Sequence, residues 1–307
     1  MQEAGIDSGA ELDVTIALAV HNEAGHIETE IGRIREAMDA SEYSYEIIVV
    51  DDASTDGSLK ELGHIPDIKP IRLAKNRGSG FARKTATSAA RGRVIVWSDV
   101  DMTYPNDRIP QLVKELDSGY DQVVGARTSE EGTHKLFRVP AKWFIRRLAS
   151  YLVDEPIPDL NSGLRAFRRD VGKQFLHMLP AGFSCVTTLT MCFLANGYSV
   201  GYMPIDYAER AGRSKFHWYR DTKSYLTQVI RMVLTFNPLR IFMPLGFFLL
   251  VVGAAKLGYD IVTKDFRVGT NTLLIFFAAF QTFAIGLLAD LVVRVTKPRT
   301  EQEPANR

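Results

Sequence analysis

The apolar positions of this 307-residue chain follow two different patterns. Through the first two thirds, short apolar runs alternate with stretches of helical period. Val14–Val20 (VTIALAV) is such a run, and Ile27, Ile31, Ile34 and Met38 after it mark one face of a helix. Tyr45–Val50, Ile68–Leu73, Val94–Trp97 and Asp121–Gly125 repeat the strand pattern. Helices are expected over Phe81–Arg91 and, after Pro105, through Ile109, Leu112, Val113 and Leu116. Strands that alternate with helices predict an α/β domain, a parallel sheet with helices on both faces.

The last quarter is unlike the rest. Ile241–Ala255 and Leu273–Ala289 carry no charged residue. Extended to Tyr259 and Val293, each approaches the ~20 residues that cross a bilayer. Lys256 can then snorkel from one helix end and Asp290 lies near another. A buried helical hairpin of a soluble core is the other reading. Arg220, Lys223, Arg231 and Arg240 precede the first run, and Arg294, Lys297, Arg299 and Arg307 follow the second. The stretch Lys256–Asn271 between them, expected as a tight turn, holds only Lys256, Lys264 and Arg267. That asymmetry places both ends in the cytoplasm. The first twenty residues, with Glu3, Asp7, Glu11 and Asp13, lack a basic start and a long apolar core, so the N-terminus is expected to stay in the cytosol. The expected organisation is a cytosolic α/β domain over 1–215 and an amphipathic helix over 216–240. Two transmembrane helices over 241–295 and a cytosolic tail over 296–307 complete it.

Composition modifies this picture little. Lys+Arg 37 against Asp+Glu 36 gives a formal charge of +1, too small to recruit nucleic acid. The mean hydropathy of −0.05 averages a polar domain with an apolar hairpin. Cys185 and Cys192, seven apart on one helical face, are too few for a disulfide scaffold and are expected as small buried hydrophobes.

In parallel sheets, ligands bind beyond the carboxyl ends of the strands. Strand one exits into His21-Asn22-Glu23, strand two into Asp51–Ser58, and strand three into Lys75-Asn76-Arg77-Gly78-Ser79-Gly80. Strand four exits into Ser98-Asp99-Val100-Asp101, and strand five into Gly125-Ala126-Arg127. Two carboxylates at i and i+2, Asp99 and Asp101, can hold a hard divalent cation and leave positions for phosphate oxygens and water. Thr103 can offer a third oxygen. Glu23 and Asp52 suit the base and ribose of a nucleoside. Ser54, Asp56 and Ser58 are equally ordinary turn and cap residues. The Asn76–Gly80 run is either an anion-positioning helix start or a flexible turn.

Taken in order, several segments carry a family resemblance: Asn22-Glu23, Val49–Asp56, Asn76-Arg77-Gly78, Asp99–Pro105, Val124–Arg127, Asp159–Arg165 and Arg210–Lys215. The chain resembles family 2 inverting glycosyltransferases of the dolichol-phosphate mannose synthase and polyprenyl-phosphate glycosyltransferase type, over about residues 14 to 216. The resemblance implies a GT-A, Rossmann-like fold, a nucleotide-sugar donor, Mg2+ or Mn2+, and a polyprenyl phosphate acceptor at a lipid bilayer. By position it assigns Val20, Asn22, Glu23, Asp52, Arg77, Gly78, Asp99 and Val100 to the nucleotide sugar, and Asp99 and Asp101 to the metal. Arg127, Arg138 and Lys142 fall to the acceptor phosphate. Asp159 falls to the sugar or to a structural cap, and Arg213-Ser214-Lys215 to a closing loop. His21 stands where the family more often has Tyr, Thr103 where some members have Gln, and Lys142 where some have Ser. The Gln-x-x-Arg-Trp pattern of processive synthases is absent, which points to one transfer per lipid.

A lipid monophosphate is largely ionised near neutral pH, by analogy with phosphorylated side chains. It needs positioning more than a base, and the six histidines are expected to be structural or at the surface. His134–Val153 mixes bases with Trp143, Phe144 and Ile145, as an interfacial helix would, or as a helix packed on the domain with solvated bases. The expected product is a polyprenyl-phosphate-linked hexose made from a uridine-diphosphate sugar at the inner or an ER-type membrane. Association of copies into a homo-oligomer stays open. The alternatives are extension of a diphospholipid-linked glycan and a non-catalytic, membrane-anchored sugar-nucleotide binder.

Overall fold

The computed structural model describes residues 12–128, 147, 150, 156–208, 227, 237–263 and 268–296. Arg138, Lys142, Arg213, Ser214 and Lys215 lie outside the described residues, as do nearly all of the helices expected over 134–153 and 216–240 and the tail after Thr296. The chain divides into two units, Met1–Gln228 and Val229–Arg307.

In the first unit the order is β1 (Val14–Val20), α1 (Ile27–Asp39), β2 (Tyr45–Asp51), α2 (Ser58–Leu62), β3 (Lys69–Arg72) and α3 (Ser79–Ala89). Then come β4 (Val94–Ser98), α4 (Ile109–Asp117), β5 (Gln122–Arg127), β6 (Arg165–Arg168), α5 (Arg169–Gln174), α6 (Cys185–Ala195) and β7 (Val200–Ile205). The strands form one sheet in the order β3-β2-β1-β4-β6-β5-β7. Alternation along β1 and β4 divides the core between the two faces. Val14, Ile16, Leu18 and Val20 join Val94 and Val96 in a cluster with the apolar faces of α1 and α4. Trp97, one residue out of step, turns to the opposite face and meets Phe167 of β6 edge-on at 5.1 Å, with Phe193 of α6 beyond.

The expected all-parallel sheet is corrected to a mixed one. β6 runs antiparallel to both β4 and β5. Its sequence, Arg165-Ala166-Phe167-Arg168, hides the strand: it is short and has an arginine at each end, yet Arg165 is fully buried. Both edge strands contain proline, Pro70 in β3 and Pro204 in β7, a residue that cannot donate to a further strand.

The second unit is a helical hairpin, α7 (Leu239–Thr263) and α8 (Thr270–Thr296). Both helices are long and apolar enough to cross a membrane, and few of their residues are buried. With lipid as solvent, close packing between helices favours small residues. A Cβ on Gly246 would lie 2.7 Å from the Phe283 ring. The turn is shorter than the expected Lys256–Asn271, because α7 continues through Lys256 to Thr263. Lys256 bonds Asp260 at 2.7 Å across one helical turn, so the two charges neutralise each other inside the helix.

Candidate functional site

β2, β1 and β4 are parallel neighbours, with Val20 opposite Asp51 and Leu18 opposite Ser98. Their exits therefore lie side by side. The strand order also reverses here, since β2 and β3 lie on one side of β1 and β4 on the other. Each exit turns sharply through a left-handed residue: Asn22 (φ 54°), Ala53 (φ 56°) and Met102 (φ 64°). Asn adopts that region readily, whereas Ala53 and Met102 occupy it at a cost of about 1 kcal/mol or more each, so two strained residues at one sheet edge mark a site shaped for something other than stability.

A cleft of about 300 Å³ opens at this edge. Val20, Glu23, Asp52, Gly78, Asp99, Val100 and Asp101 line it, together with His21, Asn76, Ser79 and Phe183. Asn22 and Arg77, also expected at the nucleotide, are not among the lining residues. Asn22 Oδ1 accepts the Thr55 N–H at 2.8 Å. The Arg77 guanidinium lies 3.5 Å above the Phe81 ring.

The Ser54–Ser58 part of the second exit proves to be scaffold. Successive N–H groups of Asn22, Glu23, Ala24 and Gly25 donate to the side chains of Ser54, Ser58, Asp56 and Glu61. Ser54, Asp56 and Ser58 thus hold the neighbouring exit; Asp56 also accepts the Ser58 N–H at 2.9 Å in a local turn, and the N-cap of α2 is Gly57, which makes no side-chain cap bond. Asp52 does related work at the cleft wall. Its two oxygens accept the Arg77 and Gly78 N–H groups, both at 2.7 Å. A carboxylate retains further lone pairs after two such bonds, so a ligand hydroxyl can still donate to it. Asn76 Nδ2 lies 3.0 Å from His21 Nε2, and His21 Nδ1 lies 2.9 Å from the Asp52 carbonyl. The carbonyl can only accept, so the neutral ring carries its proton on Nδ1.

Gly78 needs its φ of +93°, and a Cβ there would lie 2.6 Å from the Ala181 carbonyl oxygen. Phe81 N–H also donates to that oxygen at 3.0 Å. The loop before α6 is thus bolted to the start of α3, which fixes the half-exposed Phe183 at the cleft.

Asp99 and Asp101 enter the cleft from the end of β4. Asp101 is 8% exposed, and its Oδ1 accepts the Thr103 hydroxyl at 2.5 Å. Thr103, expected to offer a third oxygen, therefore serves as a donor to Asp101. Asp99 Oδ1 accepts Arg83 Nη2 at 2.7 Å. Asn106 donates to the Asp99 carbonyl at 3.2 Å and accepts from Ser98, while its amide also reaches the buried Glu30. Among the described residues no third His, Cys, Asp or Glu joins the pair. Two carboxylates in an open cleft fit a hard cation that brings its remaining oxygen ligands with it.

Arg127 and Asp159 form one unit. Arg127 Nε and Nη2 donate to Asp159 Oδ2 and Oδ1 at 2.7 and 3.0 Å, and Asn161 N–H donates to Oδ1 at 2.9 Å. Burial works to raise the Asp159 carboxyl, but the bonds and charge of Arg127 outweigh it and hold it below the usual range. Neither residue lines the cleft.

Sequence reasoning did not single out Arg83 or Phe183. Arg83 does carry a signal: Gly80, Ala86 and Thr87, at helical spacing around it, make a face of small residues against which another element can pack closely, and all of them are buried. Burial disfavours its charge, but Asp99 beside it more than compensates and raises its pKa. Arg165, also buried, is pushed down to about 10 by burial and then by the charge of Arg83. Cys185 and Cys192 are buried as expected, although Cys185 Sγ also lies 3.8 Å from Arg83 Nη1.

Residues 15–176, just over half of the chain, match the family described as glycosyl transferase family 2. This chain belongs to that family. Residues 237–295 match the GtrB C-terminal hairpin. Similar relatives are the undecaprenyl-phosphate 4-deoxy-4-formamido-L-arabinose transferases of Enterobacter sp. (strain 638) and Klebsiella pneumoniae (strain 342). They are 29% and 27% identical over 301 residues, spanning 92% of this chain and 88% of each relative. Glucosyl-3-phosphoglycerate synthase from Mycobacterium tuberculosis, solved with Mn2+, uridine diphosphate and phosphoglyceric acid, shares the fold. The TM-score is 0.58 at 20% identity, over 72% of this chain and 78% of that one. The protein is therefore a family 2 glycosyltransferase with an apolar hairpin of membrane length, related to polyprenyl-phosphate sugar transferases.

Proposed function

We propose that this enzyme transfers a single hexose, from a uridine-diphosphate sugar, to a polyprenyl phosphate with inversion at the anomeric carbon. The observation that carries the reading is the convergence of Asp99, Asp101, Asp52 and Glu23 on one cleft at the strand-order switch. A hairpin of membrane length in the same chain agrees with an acceptor that resides in the bilayer. The basic residues flanking both spans favour a cytosolic catalytic domain on a cytoplasmic membrane.

Glu23 and Asp52 are the acceptors offered to the nucleoside, with the Gly78 backbone beside them. Asp99 and Asp101 would hold Mg2+ or Mn2+, which supplies Lewis-acid neutralisation of the leaving diphosphate. The acceptor phosphate oxygen attacks C1 of the sugar as the bond from C1 to the diphosphate oxygen breaks. The electron pair of that bond leaves on the nucleoside diphosphate. An ionised phosphate has no proton to lose, so the chain's task is alignment and charge screening. Arg127, steadied by Asp159, is the described candidate for the acceptor phosphate. Arg138, Lys142 and the Arg213-Ser214-Lys215 loop complete the assignment outside the described residues.

The test is incubation of the detergent-purified protein with undecaprenyl phosphate and a panel of nucleotide sugars, with the lipid product identified by mass. The panel includes uridine-diphosphate glucose, guanosine-diphosphate mannose and nucleotide-activated 4-deoxy-4-formamido-L-arabinose. A single sugar added through a phosphodiester is expected, and it should vanish with Asp99→Ala or Asp101→Ala. Product formation only on a diphospholipid-linked glycan would overturn the reading.

A further inference from the structure

Behind the Asp99–Asp101 loop lies a guanidinium that the proposed reaction does not use. Arg83 projects from α3, and its side chain is 3% exposed. Nη2 donates to Asp99 Oδ1 at 2.7 Å, and the Trp97 ring centroid lies 5.7 Å from the guanidinium carbon. The backbone at Gly163 closes over the pair. A Cβ there would lie 2.7 Å from Asp99 Oδ2 and 3.0 Å from Arg83 Nη2. Gly163 N–H in turn donates to the buried Tyr104 hydroxyl at 2.6 Å, which holds that backbone in place. The guanidinium is thus covered by Trp97, Gly163 and Tyr104, while the Asp99 side chain stays 31% exposed.

An arginine cannot give up its proton in a protein. Taken together, the two carboxylates and this guanidinium therefore sum to a formal −1 instead of −2, beside the further carboxylates Glu23 and Asp52 in the cleft wall. Charge decides how tightly a divalent ion binds to a given set of oxygens. A site of −1 with two protein carboxylates holds a bare cation weakly and gains its affinity once a diphosphate contributes negative oxygens of its own.

We propose that Arg83 is a positioning residue that both aims Asp99 and offsets its charge, so that the divalent cation enters with the nucleotide instead of ahead of it. This rests on the reading of Asp99 and Asp101 as the cation's ligands. Removing the guanidinium charge should make the site a better trap for a free cation and a worse catalyst.

The experiment is Mn2+ titration of the full chain in detergent micelles, read by electron paramagnetic resonance, with and without uridine diphosphate. Wild type should bind Mn2+ weakly alone and much more tightly with the nucleotide. Arg83→Met should bind bare Mn2+ about tenfold more tightly than wild type, with a smaller gain from the nucleotide and slower turnover. Arg83→Gln keeps a donor for Asp99 without the charge and carries the same expectation, should the methionine variant fail to fold. Arg83→Lys keeps the charge and should leave bare Mn2+ binding within about twofold of wild type. A purely structural role predicts the opposite sign, weaker Mn2+ binding with and without nucleotide. That result, or unchanged binding in the uncharged variants, overturns the proposal. Asp99→Ala and Asp101→Ala separate the two ideas. If they leave Mn2+ binding intact, the ligand assignment itself fails. If they abolish it while the Arg83 variants match wild type, only the role of Arg83 fails.

Discussion

Arg127 holds Asp159 through two parallel hydrogen bonds, 2.7 and 3.0 Å long, with both side chains mostly buried. The arginine assigned to the acceptor phosphate and the carboxylate assigned to the sugar are one device. Charge-assisted fork geometry of this kind is strong and orients both partners. Arg127→Ala and Asp159→Ala should each reduce lipid product formation at least tenfold, and the double variant should be no worse than the poorer single one. Their coupling should reach about 1.5–3 kcal/mol, measured as a cycle of kcat/KM values. Additive losses would show that the two act separately.

Far from the cleft, Glu46 ties three elements together. It accepts the Thr15 hydroxyl at 2.8 Å and the Arg91 N–H at 2.8 Å, and it pairs with Lys69. Burial would raise its carboxyl, but Lys69, Arg91 and Thr15 together bring it down to about 2. A folded-state value below the unfolded one, ~4.3, means that its stabilisation is complete above that range and is lost as pH falls toward about 2. Glu46→Gln should therefore lower stability at pH 7 and flatten the acid limb. Denaturant unfolding at pH 7 and pH 3 checks this: the variant should lose less stability between the two than wild type.

Gly78 combines a left-handed backbone with a 2.6 Å approach of the Ala181 carbonyl to any Cβ. Gly78→Ala should cost more than about 1 kcal/mol and detach the Phe183 loop from α3. A lower Tm together with a raised KM for the nucleotide sugar is the expected pair of results. A lower Tm with unaltered KM would separate the loop from donor binding.

In the hairpin, the fully buried Asp260 accepts from Lys256 at 2.7 Å, from Gly269 N–H at 3.1 Å and from the Thr272 hydroxyl at 2.5 Å. It thereby joins the end of α7 to the start of α8. Asp260→Ala should speed hydrogen exchange at Gly269 and neighbouring amides and leave uridine-diphosphate binding unchanged. Unaltered exchange would show that helix packing alone closes the hairpin.

Much of the fold was legible because its signals are local. β1 appears within the bounds its apolar run suggested, and β2, β4, α1 and α4 fall within a residue or two of theirs. β6 and β7 gave no such signal, since one is flanked by arginines and the other is a proline-containing edge strand. Strand-exit logic led to Asp52, Asp99 and Asp101 because buried parallel strands must end on one edge. It did not reveal that Asn22 would turn away to bond Thr55, or that Arg127 would be paired with Asp159, thirty-two residues later.

What the sequence determined by itself is therefore whatever depends on neighbours along the chain. That includes the period of each element, the two apolar spans, and the order in which carboxylates leave the strands. Tertiary structure alone decided which way each of those groups points and what charge it meets there. The small residues around Arg83 hint at a buried face, but only the fold sets β4 and Gly163 against it and pairs it with Asp99. Burial and pairing are properties of distant contacts, and folding creates them only when segments sixteen or eighty residues apart come together.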